Sequence, residues 1–305
     1  MAAGNYRKYL SSTGLVLTLV LAGCGGSDGG VASASSPGTI APPASYTKLV
    51  DMSGNRTFQT AGVHYASSAA GISNPSTDQF GSGVTVVYTA ASDSYQLTAP
   101  GGATATFTPA DFQPAASAPT VPNVAAYQKT SGSTSDILRL IVPTLNGVPL
   151  SYVTIGSWGH SVSGATTLYL ALGGAPTIAS DMPKAGTASY AVTVGGTAVV
   201  PNGAGGATAN PLNGAATGTF SANFATGAIT NSVHLLSTTG TDFGTFNGTG
   251  TIASASPGFS GTFAGTTTST FSGAFFGPQA TEMGMAYFIG TPTFSVGGVV
   301  TGLKN

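Results

Sequence analysis

The sequence predicts an all-β protein: an N-terminal β-rich domain followed by an eight-stranded antiparallel up-and-down β-barrel. Three observations predict it. Short runs of β-branched and aromatic residues are punctuated by 45 glycines and 18 prolines in 305 residues, the composition of many short strands joined by turns. Charged residues make up 6% and hydrophobic ones 41%, which excludes a solvated disordered chain. From Lys184 onward, aromatic and small residues alternate with a period of two. That period puts phenylalanine on one face of each strand and Ser/Thr on the other.

The chain opens with an export signal over residues 1–23. Arg7 and Lys8 form its positive region, and Leu10 to Leu21 its apolar segment, too short to span a bilayer. Leu21-Ala22-Gly23-Cys24 matches the bacterial lipoprotein pattern, and Cys24 is the only cysteine. Its thiol is the expected acceptor of a diacylglyceryl group, with palmitate-type chains as the membrane partner. One acyl chain alone anchors marginally, whereas two or three hold durably. Gly25 stands where an inner-membrane retention aspartate would be, so the expected location is the outer membrane, facing the cell surface. Residues 24–45 read as a tether spanning about 25 Å on average.

The folded body then begins near Tyr46, with one domain over 46–183 and the barrel over 184–305. In the first, Val84 to Tyr88 and Tyr95 to Thr98 read as a hairpin around Ala91-Ser92-Asp93-Ser94. Ala103 to Thr108, Ala125 to Lys129, Ile137 to Val142, Leu150 to Trp158 and Thr166 to Leu172 read as further strands. A proline-broken connection runs from Pro114 to Pro122. Trp158, the only tryptophan, is expected as a core or edge anchor.

The barrel strands are expected at Thr187 to Val194, Gly218 to Phe224, Ile229 to Leu236, Phe243 to Thr249 and Phe259 to Phe263, with two more in Phe271 to Phe288 and the last at Thr293 to Thr301. They form one continuous meander with a packed interior and a wet exterior. Closure removes the edges on which sheets aggregate. A membrane-spanning barrel fits less well. The outward positions are mostly Ser, Thr, Gly and Asn, no aromatic girdle brackets them, and the sequence ends Gly302-Leu303-Lys304-Asn305. The expectation is a soluble, lipid-tethered barrel.

Phe271-Ser272-Gly273-Ala274-Phe275-Phe276-Gly277-Pro278-Gln279-Ala280-Thr281-Glu282-Met283-Gly284 resembles the barrel signature of the transferrin-binding-protein-B-like surface lipoproteins. That signature runs G-x-F-[FY]-G-P-x-A-x-E-x-G-G, and Met285 replaces its last glycine. Met182-Pro183 and Gly186 to Tyr190 resemble the family's first barrel strand. Tyr127 to Gly132 and Tyr152 to Trp158 resemble, more loosely, its handle domain. The family's name-giving protein has two handle-plus-barrel lobes and this chain has room for one, so transferrin binding does not carry over. The resemblance implies a surface lipoprotein that binds a partner. Single-lobe relatives are similar to haem-capturing proteins and to binders of host complement regulators.

Within the motif, Gly273, Phe275, Phe276, Gly277, Pro278, Glu282 and Gly284 are expected to be structural. Gly277-Pro278 sets a tight turn. Phe275 and Phe276 point to opposite faces, so only one is expected to be interior. Glu282, the sole glutamate, is expected to accept backbone N–H bonds in the turn and lock its two strands, in preference to contacting a ligand.

Catalysis finds no support. His64, His160 and His234 have no metal-site spacing, and no nucleophile elbow, Walker loop or dinucleotide fingerprint occurs. Gly203-Ala204-Gly205-Gly206 reads as a turn. No cofactor is expected, with haem as the alternative: His64-Tyr65 and His160 are iron-ligand types expected on loops of the first domain. The net charge of −1 gives no reason to expect nucleic acid. The expected function is non-catalytic binding, in iron, haem or other solute acquisition, with an unknown protein or solute as ligand and a TonB-type receptor as a candidate partner. The alternative is an adhesin or structural coat lipoprotein. Loops of the first domain and the barrel rim are expected to carry the ligand site.

Overall fold

The computed structural model describes residues 45–68, 71–113, 124–202, 206–212, 214–266 and 268–305. The export signal, Cys24, the tether up to residue 44, the proline-broken connection and residues 203–205 of the turn expected at 203–206 lie outside the described residues. Among the described residues no helix is long and apolar enough to cross a membrane.

The chain is all-β. Its strands are β1 (Arg56–Phe58), β2 (Ala61–Ser68), β3 (Gly71–Asp78), β4 (Thr85–Thr89), β5 (Ser94–Thr98), β6 (Thr104–Phe107), β7 (Phe112–Gln113), β8 (Val124–Ser131), β9 (Thr134–Ile141), β10 (Thr144–Leu145), β11 (Val148–Pro149), β12 (Val153–Val162) and β13 (Ala165–Gly174). The barrel region adds β14 (Thr187–Pro201), β15 (Ala207–Pro211), β16 (Thr217–Asn223), β17 (Ala228–Leu236), β18 (Asp242–Ile252), β19 (Gly258–Phe263), β20 (Thr270–Phe276), β21 (Glu282–Gly290) and β22 (Ser295–Lys304).

In the N-terminal domain, called the handle below for brevity, a four-stranded sheet ordered β1-β4-β5-β6 lies over a seven-stranded sheet ordered β3-β2-β13-β12-β9-β8-β7. Tyr88, Tyr95, Leu97 and Phe107 of the small sheet pack on Tyr127, Leu138, Trp158 and Tyr169 of the large one. The sequence pattern missed β1, β2 and β3. β1 is only three residues long, and β3 carries Asn74-Pro75, which reads as a turn; its place at the sheet edge is where proline is tolerated.

Eight strands close the barrel. β14 and β16 to β22 pair in sequence order, and β22 returns to β14 from Tyr190↔Lys304 to Val199↔Ser295. Contrary to the expectation of one continuous meander, β15 intervenes and pairs with the far end of β14, from Thr197 to Pro201. β14 runs 15 residues, long enough to serve β16 at one end and β15 at the other. Phe220, Phe259, Phe263, Phe271 and Phe275 fill the interior with Tyr190, Tyr287 and the methionines 283 and 285.

The exterior is only partly wet, a second correction. All nine residues of β21 are buried. The reason is docking: the outer face of β20 and β21 packs against the face of the handle's large sheet that points away from the small one. Val63, Tyr65, Val153, Ile155 and Leu172 meet Ala274, Phe276, Ala286 and Phe288 there. A strand buried on both faces reads as a continuous apolar run, as Met283 to Ile289 does.

Candidate functional site

The motif forms the seam between the two domains. β20 enters the turn at Gly277, whose φ of 71° and ψ of −176° lie in a region essentially reserved for glycine. The Tyr152 ring lies against its Cα, where a side chain would stand. Gln279 and Ala280 follow with φ of 51° and 55°. Two consecutive non-glycine residues in this conformation need external support, and they have it. The Tyr190 hydroxyl donates to the Ala280 carbonyl at 2.7 Å, and Lys304 Nζ to the Gln279 carbonyl at 3.0 Å.

Phe275 and Phe276 do point to opposite faces, yet both are fully buried. Phe275 fills the barrel and Phe276 the seam. The expectation of one interior phenylalanine failed because a second domain covers the outer face. Gly284 also faces that domain: a Cβ there would stand 2.9 Å from Leu172 Cδ2 and 3.1 Å from Val153 Cγ2. Met285, which departs from the motif, points into the barrel core.

Glu282 acts across the seam rather than within the turn. The Ser151 N–H donates to Oε1 at 2.6 Å, and the Tyr152 and Val153 N–H groups donate to Oε2 at 2.8 and 3.0 Å. The side chain thus satisfies three backbone donors of the handle just where β12 begins. Burial pushes its carboxyl above the usual range, opposed by those three donors and by Lys48.

Asp181 completes the seam from the connection between the domains. Its carboxylate accepts the Tyr46 hydroxyl at 2.8 Å and the Gln279 N–H at 3.0 Å, and the Gln279 side-chain amide donates to it as well. Burial pushes this carboxyl up, but those hydrogen bonds outweigh it and hold it below its usual value. The Tyr46 hydroxyl also accepts the Ile178 N–H at 2.9 Å, and burial pushes its pKa up to about 12. Sequence reasoning missed Tyr46, Tyr152 and Asp181, because nothing local marks a residue whose partner lies about a hundred positions away.

The candidate iron ligands lie on strands, not loops. His64 and Tyr65 are neighbours on β2, so they point to opposite faces. Tyr65 is buried in the seam, its ring centroid 6.3 Å from that of Phe288. His64 faces the other way, and its Nδ1 pairs with Asp78 at 2.9 Å. His160, on β12, pairs through Nδ1 with Asp136 at 2.7 Å. Asp136 also accepts the Trp158 Nε1–H at 2.9 Å. The two histidines end a row of rings on one sheet face. His64 to Tyr169 is 5.5 Å, Tyr169 to Trp158 4.9 Å, and Trp158 to His160 5.4 Å between centroids. The Tyr169–Trp158 pair therefore separates them, and Tyr65 is on the far side of the sheet. These residues do not fit a haem held by two protein ligands. Among the described residues no group of three or more metal-ligand side chains occurs. His234 pairs with Asp242 on the barrel surface.

The described residues thus form a β-sandwich clamped to a closed eight-stranded barrel. Residues 182–304, the barrel, match the family model described as the C-lobe and N-lobe beta barrels of Tf-binding protein B. No curated protein sequence matches the chain. Similar solved structures include a transferrin-binding protein B variant from Haemophilus parasuis, at 15% identity and a TM-score of 0.45, over 80% of this chain and 45% of that one. A haemoglobin complex of HpuA from Kingella denitrificans aligns at 16% identity and a TM-score of 0.39, over 82% and 87%. A surface lipoprotein aligns at 15% and 0.39, over 82% and 98%. The chain spans about half the length of the transferrin-binding protein B structures it matches.

Proposed function

We propose that the chain is a lipid-anchored binding protein of the outer-membrane surface, without catalytic activity. In this reading Cys24 carries the acyl chains, residues 24–45 tether the body, and a lobe of handle (46–183) and barrel (184–305) presents the ligand site. The match of residues 182–304 to the barrels of Tf-binding protein B carries the reading. The seam supports it. Glu282, Asp181 and the docked face of β20 and β21 hold the two β domains in one orientation, and a fixed scaffold is what a loop-borne binding surface needs. The histidine geometry argues for a protein ligand or another solute in preference to haem held by His64, Tyr65 or His160.

The test is capture by the full mature chain, immobilised through its N-terminus. Growth medium and host serum supply unknown ligands, and purified transferrin, lactoferrin, haemoglobin and haemin form a defined panel. Saturable, reproducible retention of one protein or solute is expected. Retention of none, together with turnover of a substrate by the purified chain, overturns the reading. Labelling with a radioactive fatty acid in wild type and Cys24→Ser checks the anchor independently.

A further inference from the structure

We propose that the handle contains a binding site for a single alkyl chain, lying between its two sheets. The large sheet is hollow at its centre. Ala171 stands opposite Gly156, and Gly156 opposite Leu140, in one row across β13, β12 and β9. Gly173 stands opposite Thr154 in an adjacent row on the same face. These small side chains leave a trough over β13 and β12, bounded on the β9 side by Leu140 and Val142. Phe58, Val86 and Tyr95 of the small sheet roof it, and the result is a partly open cavity of about 70 Å³.

Two features point to a ligand and not to a packing fault. A Cβ added at Gly156 would meet only Ala171 atoms, at 3.8 and 3.9 Å. Nothing in the fold excludes a side chain there, yet none is present. A glycine inside a strand weakens it and often marks the close approach of something else. The lining is also almost wholly apolar. Its two threonine hydroxyls are engaged: Thr60 donates to the Val84 carbonyl at 2.7 Å, and Thr154 to the Ile141 carbonyl at 2.9 Å. A cavity that holds water must be polar, with two to four partners for each molecule. This one suits a hydrocarbon. The alkyl chain belongs to a free amphiphile or to the acyl group expected on Cys24. The site is separate from the ligand surface proposed above and does not depend on it.

The test uses the full mature chain as Cys24→Ser, free of detergent, titrated with decanoate while the Ala171 and Leu140 methyl signals are followed by NMR. Saturable shifts confined to those methyls are expected. Gly156→Leu fills the trough and should weaken decanoate binding at least about tenfold, with no fall in unfolding temperature. Ala171→Val provides a second filling variant if the first folds poorly. Absence of saturable shifts in Cys24→Ser alone, or undiminished binding in both filled variants, overturns the proposal. The acylated chain in liposomes distinguishes the two sources. Shifts present before decanoate is added identify the protein's own chain, and shifts only after addition identify a free amphiphile.

Discussion

Glu282, at the first position of a barrel strand, accepts the backbone N–H of Ser151 in the handle at 2.6 Å. With the neighbouring donors of Tyr152 and Val153, this makes the chain's only glutamate a clasp between domains. Glu282→Ala leaves buried donors unpaired and should destabilise by about 1–3 kcal/mol. Glu282→Gln keeps one acceptor oxygen and should cost less. Urea unfolding measures both. An alanine variant as stable as wild type would show that the clasp contributes nothing.

Gly277→Ala should be costly for two reasons. Its φ/ψ region carries a penalty of about 1–3 kcal/mol for other residues, and the new methyl group would meet the Tyr152 ring. A double-mutant cycle with Tyr152→Ala separates the two. The backbone part persists in the Tyr152→Ala background, while the ring part disappears. Full additivity would mean that the ring contact does not matter.

The His64–Asp78 pair makes a pH dependence. The hydrogen bond that His64 donates to the Asp78 carboxylate raises the His64 pKa in the folded state above its ordinary 6.5, against the opposing effect of burial. The protonated form is thus favoured by folding. Its stabilisation is fully present below the unfolded value and is lost as pH rises through the folded one. Thermal unfolding followed from about pH 5 to 8 should show a decline that Asp78→Asn flattens. Equal slopes in the two proteins would refute the assignment.

Tyr46→Phe removes one donor to Asp181 and one acceptor for the Ile178 amide. The expected loss is about 1 kcal/mol, with faster hydrogen exchange at Ile178 than at strand amides such as Leu172. Unchanged protection at Ile178 would mean that another group serves that amide.

The barrel was legible because each of its strands carries its own signal. Phe259-Ser260-Gly261-Thr262-Phe263 alternates visibly, and the motif from Gly273 to Gly284 marks both a turn and a family. The handle was less legible. β2 holds Val63 and Tyr65 toward the seam and His64 toward the sandwich, so both faces of one strand are in use and no alternation appears. That is why His64 and Tyr65 looked like neighbouring ligands on a loop.

By itself, the sequence determined the all-β class, the closed barrel and its interior phenylalanines. Those follow from periodicity and turn chemistry, which act over a few residues. Only the tertiary structure decided that Phe276 is as buried as Phe275, that Glu282 bonds outside its own turn, and that His64 and His160 stand at opposite ends of a ring row. Each of those facts depends on which face of one sheet meets another. That is settled by burial summed over both domains and by pairing between residues up to 193 positions apart, and no local pattern encodes it.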